Sequence, residues 1–68
     1  MYQATDKDRA LARQIIREEY AVRALEISDE AVEKKVNEIL NISYSIGGGY
    51  DQSTLRKIVR ALLSKGII

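Results

Sequence analysis

The chain has 68 residues, no cysteine, no histidine and a formal net charge of +1. This length leaves room for one domain, spanning residues 1–68, whose core contributes only about 3–5 kcal/mol to stability. Without cysteine and histidine, the chain lacks disulfides, the usual zinc ligands and the commonest general base. We therefore expect a small non-enzymatic binding module without cofactor or metal, and the small core favours homo-oligomers.

The sequence gives no sign of a membrane or of export. No segment approaches the run of about 20 apolar residues that spans a bilayer. The first residues lack the basic and apolar regions of a signal peptide. The sequence therefore predicts a cytoplasmic protein with no membrane partner.

The first helix is predicted over residues 6–26. Thr5 is a candidate N-cap, and Asp8 completes a capping-box pattern three residues later. At 100° per residue, one stripe of the helix is apolar. Its members are Leu11, Ala12, Ile15, Ile16, Val22 and Leu25. Glu18 falls in the same stripe, which favours the edge of the core, with a bend in the helix or a contact with another chain as alternatives. A first helix broken into two is an alternative for the fold.

Two pairs of adjacent carboxylates, Glu18–Glu19 and Asp29–Glu30, are the remaining candidates for acid–base chemistry or metal binding. Neighbours on a helix diverge by about 100°, so neither pair converges on one atom. We interpret both pairs as parts of solvated helix faces. Asp29 and Glu30 also match the helix dipole at the start of the second helix.

The second helix is predicted over residues 29–42. Ser28 is its N-cap, and Ile27 can pack on Val32 as a hydrophobic staple. The buried stripe continues through Val32, Val36, Ile39 and Leu40.

A glycine-rich loop follows over residues 43–50, with a short extended piece over residues 42–46 as an alternative. Gly47–Gly49 permit positive φ and close backbone approach. Their amides precede a helix and suit a phosphate, but Asp51 places a negative charge there, so a connector is favoured. Three apolar side chains either fold back over the core or face a partner. They are Tyr44, Ile46 and Tyr50.

The third helix is predicted over residues 52–65. Asp51 is its N-cap, Gly66 is suited to the residue after its end, and Ile67 can pack back on the last turn. The spacing of its apolar residues is typical of a stripe that faces a core. They are Leu55, Ile58, Val59, Leu62 and Leu63. The fold class predicted is all-α, a compact three-helix bundle with a glycine-rich loop before the last helix.

Residues 53–68 resemble the recognition helix and exit of helix-turn-helix and winged-helix DNA-binding domains. In those families, polar and basic residues early in the helix face the major groove. The resemblance covers about a quarter of the chain, and the loop before it is longer than the usual turn of three to four residues. It implies duplex DNA as a partner, contacted by Gln52, Ser53, Thr54, Arg56, Lys57 and Arg60.

The charge distribution resembles a weak basic patch more than a dedicated nucleic-acid surface, and basic side chains that only keep the helix soluble are the alternative interpretation. Residues 44–68 carry a net charge of +3, whereas residues 28–43 carry −2. Arg56, Lys57 and Arg60 are predicted to project from the side of the helix opposite the core, where they can contact phosphates.

Protein–protein interaction is the alternative function. The core is too small to bury every apolar residue of the chain. In this interpretation, the apolar residues that remain exposed form an interface with a second copy or another protein, together with Tyr44, Ile46 and Tyr50. The regular caps and staples are also typical of a designed chain, so a de novo designed scaffold is a further interpretation.

Overall fold

The computed structural model describes residues 4–66 of the chain. Helix α1 spans Asp6–Val22, α2 spans Asp29–Ser45 and α3 spans Gln52–Ser64, and each helix packs against the other two. The described residues contain no strand. The predicted compact three-helix bundle is confirmed, and the alternative of a broken first helix is wrong because α1 is continuous.

All three helices begin at the predicted residue because a side chain caps each of them. The Thr5 hydroxyl accepts a hydrogen bond from the Asp8 amide, and the Asp8 carboxylate accepts one from the Thr5 amide. Ser28 and Asp51 each accept a hydrogen bond from the amide three residues later. These bonds satisfy amides that have no acceptor within the helix.

The helix ends differ more from the prediction, since α1 ends at residue 22 instead of 26 and α2 continues to residue 45. Each helix is followed by a left-handed residue: Ala24 (φ 55°), Gly47 (φ 70°) and Gly66 (φ 73°). After α1, the Leu25 amide donates to the Tyr20 carbonyl at 2.9 Å in a Schellman-type turn. Alanine stands there at the position where glycine usually marks a helix end, so the sequence does not signal it.

The core lies between the three helices and contains eleven buried apolar residues among residues 4–66. They are Ala12, Ile15, Ile16, Tyr20, Val32, Val36, Ile39, Leu40, Leu55, Ile58 and Val59. Leu62 and Leu63 are partly buried against it. The predicted burial of Val22 and Leu25 is wrong: they are 76% and 48% exposed. Val22 is the last residue of α1, and Leu25 lies beyond the left-handed turn, so the chain leaves the core-facing stripe there.

The glycine-rich loop is shorter than predicted and packs on both neighbouring helices. Residues 43–45 belong to α2, so the alternative of an extended piece is wrong. The buried hydroxyl of Ser43 donates to the Gly49 carbonyl. A Cβ atom at Gly48 would lie 2.9 Å from the Cγ2 of Thr54, so a larger residue there would force the Thr54 side chain in the first turn of α3 to shift. The loop therefore fixes where α3 starts relative to α2.

The end of α3 and the character of the helices test two further predictions. Gly66 has the left-handed conformation predicted for the residue after α3, whereas the predicted contact of Ile67 lies outside the described residues. Within residues 4–66, none of the helices has the length and apolar character needed to cross a bilayer.

Candidate functional site

A buried carboxylate surrounded by arginines joins α1 to α3. Glu19 is only 3% exposed. Its Oε1 accepts hydrogen bonds from the Nη1 of Arg23 at 2.9 Å and the Nε of Arg60 at 3.0 Å. Its Oε2 accepts from the Nη1 of Arg56 at 2.7 Å. The interpretation of Glu19 as part of a solvated face is therefore wrong, because two arginines of α3 satisfy its charge inside the bundle.

Arg56 holds two neighbouring carboxylates together. Its Nη1 bonds to Glu19, its Nη2 donates to the Oε1 of Glu18 at 2.7 Å, and its side chain is only 21% exposed. Glu18 is half-exposed and lies at the edge of the core, as its position in the stripe predicts. Hydrogen bonds from Gln14, and then from Arg56, lower the pKa of Glu18. Arg56 therefore lies against α1. The prediction that it projects from the side of α3 opposite the core is wrong.

The arginines keep Glu19 ionised far below its usual range. The hydrogen bond from Arg60 contributes most to lowering its pKa to about 2, the bonds from Arg23 and Arg56 add to it, and burial opposes them. The same bonding raises the pKa of Arg56, through Glu18 first and Glu19 second. Glu19 is therefore ionised and Arg56 protonated at neutral pH.

The other residues predicted to contact DNA lie in different surroundings. Gln52, Ser53 and Lys57 are exposed. Thr54 is partly buried, and its hydroxyl donates to the Oδ1 of Asp51 at 2.7 Å, so it serves the helix cap. The Arg60 side chain is 60% exposed even though its Nε is bonded to Glu19. The structure thus divides the six residues between the surface, the cap and the α1–α3 contact.

The three residues predicted as an interface do not share one environment. Tyr50 is partly buried and packs against the core. Tyr44 and Ile46 are 45% and 65% exposed at the C-terminal end of α2. Of the three, Tyr50 alone folds back over the core, which was one of the two predicted arrangements.

The sequence contains a signal for the burial of Glu19, which was predicted to be solvated, but none for the role of Arg23. Glu19 lies four residues after Ile15 and three after Ile16, so the helical period puts it in the same buried stripe. Arg23 has no comparable signal, because its role depends on where α1 ends. Its Nη1 also donates to the backbone carbonyl of Glu19 at 2.8 Å, which satisfies a carbonyl in the last turn of α1.

Within residues 4–66, no group of three or more acidic side chains is placed to hold a metal ion. The fold and the cluster define a small helical bundle with an arginine-rich contact between its first and last helices. No protein-family model, no curated protein and no solved structure matches the chain.

Proposed function

We propose that this protein is a non-enzymatic module that binds the phosphate backbone of duplex DNA through the outer face of α3. The observation that carries the proposal is a stripe of exposed hydroxyl and cationic side chains. It consists of Ser53, Lys57, Arg60 and Ser64. Their spacing of four, three and four residues keeps them on one side of the helix, opposite the buried Leu55 and Val59.

The charge of α3 supports this proposal. The helix contains no acidic residue, and its cap residue Asp51 precedes it. Glu18 and Glu19, the acidic side chains of α1 that contact α3, are bonded to arginines. Lys57 forms no ion pair with another described residue, so its ammonium group is available to a phosphate.

The expected binding mode is electrostatic and depends little on base sequence. Hydroxyl, lysine and arginine side chains are typical contacts to phosphate and position a protein on the duplex. Each phosphate that is neutralised contributes about −0.9 to the slope of log affinity against log salt. With Lys57 and Arg60 as the main cations of the stripe, the slope should be about −1.8, so binding should be weak and should fall roughly tenfold between about 50 and 200 mM salt.

A charge-matched pair of variants tests the proposal. Lys57→Glu reverses the charge of the stripe, while Lys34→Glu makes the same change at an exposed site on α2. Both variants have a formal net charge of −1 instead of +1. In fluorescence-anisotropy titrations with a labelled duplex at low salt, we expect Lys57→Glu to bind at least about tenfold more weakly than Lys34→Glu.

Two results would count against DNA binding. One is the absence of any binding by the parent protein at low salt. The other is an equal loss of affinity in both variants, since this would show a dependence on overall charge and not on the face of α3.

A second candidate function, self-association, is favoured by a different observation. Val22 and Ile46 are the two most exposed large apolar residues of the described chain. Burying such side chains against a second copy is favourable, and the low net charge gives little repulsion between copies. Sedimentation equilibrium should then show a dimer for the parent, weakened by Ile46→Asn and unaffected by Ala10→Asn at an exposed site on α1. A monomer at all concentrations would exclude this function.

A further inference from the structure

Arg23 and Arg60 come from different helices and converge on one oxygen atom. The Nη1 of Arg23 and the Nε of Arg60 both donate to the Oε1 of Glu19, at 2.9 and 3.0 Å. Because the two donors share an acceptor, they cannot be farther apart than these two distances together. The two guanidinium groups therefore lie side by side at the junction of α1 and α3.

Both groups also reach the surface. The Arg23 side chain is 35% exposed and the Arg60 side chain is 60% exposed. No hydrogen bond to another described residue uses the Nη1 and Nη2 of Arg60 or the Nε and Nη2 of Arg23. An arginine has five N–H donors, so each retains several for a ligand. Glu19 restrains one nitrogen of each group and thereby limits how the planar groups can turn.

The local charge is positive on this side of the cluster. Glu19 supplies one negative charge to three arginines. The second carboxylate, Glu18, is bonded to Arg56, whose two terminal nitrogens are both occupied by carboxylates. The excess charge therefore remains on Arg23 and Arg60, which also have the exposed donors.

We propose that Arg23 and Arg60 together bind one phosphate group at the junction of α1 and α3. Guanidinium groups match the spacing of phosphate oxygens and bind them through paired hydrogen bonds. Two such groups contact a tetrahedral anion from two sides, with Glu19 as the residue that positions them. The inference rests on the proposed function only for the source of the phosphate, which there is the DNA backbone.

Inorganic phosphate is the probe that tests the site by itself. In ¹⁵N-labelled protein, the Nε–Hε resonances of Arg23 and Arg60 should shift together and saturate in the millimolar range of phosphate. Sodium chloride at equal ionic strength should not reproduce these shifts. Arg17, which is bonded to Asp29 on the α1–α2 side, is the internal control and should not follow them. Uniform shifts of all arginines, or none for Arg23 and Arg60, would overturn the proposal.

Arg23→Lys tests whether the guanidinium geometry matters, since it keeps the charge and removes the planar group. We expect phosphate affinity to fall about tenfold, as for the loss of one charge-assisted hydrogen bond. An unchanged thermal midpoint shows that the bundle is intact. If Arg23→Lys lowers the midpoint, the same titration with Arg60→Lys replaces it. Unchanged phosphate affinity in an intact variant would show that charge alone accounts for the binding.

Duplex DNA distinguishes this inference from the proposed function. For Arg23→Gln, the salt slope of DNA binding should be shallower than for the parent by about 0.9, the contribution of one phosphate. If the slope is unchanged while Lys57→Glu still weakens binding, α3 binds DNA and the Arg23–Arg60 site does not take part. If the parent binds no DNA but phosphate shifts both arginines, the proposed function is wrong and the phosphate site stands.

Discussion

The contact of α1 with α2 and the contact of α1 with α3 use the same residue types in different surroundings. Between α1 and α2, Arg13 pairs with Glu33 at 2.5 Å and Arg17 with Asp29 at 2.6 Å, all with side chains more than a third exposed. Between α1 and α3, the central Glu19 is almost completely buried and its charge is shared among arginines. Water thus competes for both partners of each α1–α2 pair, whereas between α1 and α3 it is largely excluded from the shared carboxylate of Glu19.

The difference shows why a count of ion pairs says little about stability. An exposed pair contributes about 0–1 kcal/mol because water solvates each partner nearly as well when they are apart. A buried carboxylate has no such alternative, so losing its partners, or leaving them without it, is costly. We therefore expect the α1–α3 contact to be sensitive to single substitutions and the α1–α2 contact to be tolerant.

The largest effect is expected for Glu19→Gln. Removing this charge leaves the poorly exposed Arg56 with one carboxylate fewer, and the unfolding free energy should fall by about 3 kcal/mol. The matched control is Glu33→Gln in the exposed pair, which should cost less than about 1 kcal/mol. Urea denaturation followed by circular dichroism measures both. Equal losses in the two variants would show that burial does not separate the two contacts.

Acid should weaken the α1–α3 contact next most strongly. The pKa of Glu19 is about 2 in the folded chain and 4.5 as its ordinary value, so between these values the unfolded chain binds a proton that the folded chain does not. The Glu19 contribution is complete above about pH 4.5 and is lost as the pH falls toward 2, by roughly 3 kcal/mol. Stability measured from pH 6 to pH 2 should fall less steeply in Glu19→Gln than in Glu33→Gln. If stability falls equally steeply with pH in both variants, protonation of Glu19 does not cause the acid-dependent loss.

A smaller gain is expected at the turn between α1 and α2. Ala24 has φ 55°, a conformation that costs an L-residue about 1–2 kcal/mol and costs glycine little. Because glycine also loses more entropy on folding, Ala24→Gly should stabilise the chain by only about 0.5–1 kcal/mol. Thermal unfolding measures the gain, and Ala10→Gly within α1 is the control that should destabilise instead. A lower midpoint for Ala24→Gly would show that the turn is not strained.

The smallest effect is expected for Arg17→Ala. This side chain is half-exposed, and its partner Asp29 is almost fully exposed, so the change in unfolding free energy should be below about 0.5 kcal/mol. The remaining difference should vanish in high salt, which screens exposed pairs. A loss comparable with that of Glu19→Gln would remove the distinction between the two contacts.

Local signals explain which parts of the fold the sequence predicts. Thr5, Ser28 and Asp51 cap their helices through residues three positions away, and all three helix starts are predicted correctly. The end of α1 is missed because Ala24 adopts a conformation that its residue type does not favour.

The candidate site is harder to predict because it depends on distant residues. The exposure of Lys57 follows from the helical period. Whether Arg56 and Arg60 face solvent or a carboxylate is decided by Glu18 and Glu19, which lie 37 to 41 positions earlier in the chain. No periodicity within one helix contains that information.

The same separation in sequence has a kinetic consequence. The ion pairs between α1 and α2 join residues only 12 and 20 positions apart, whereas closing the α1–α3 contact through Arg60 orders a loop twice as long. Long loops close later on average, because their closure loses more chain entropy. Glu19 should thus stay hydrated through the rate-limiting step of folding and lose its water only as α3 docks. Its replacement by glutamine should accelerate unfolding and leave the folding rate nearly unchanged, which makes this one carboxylate a determinant of the lifetime of the native state.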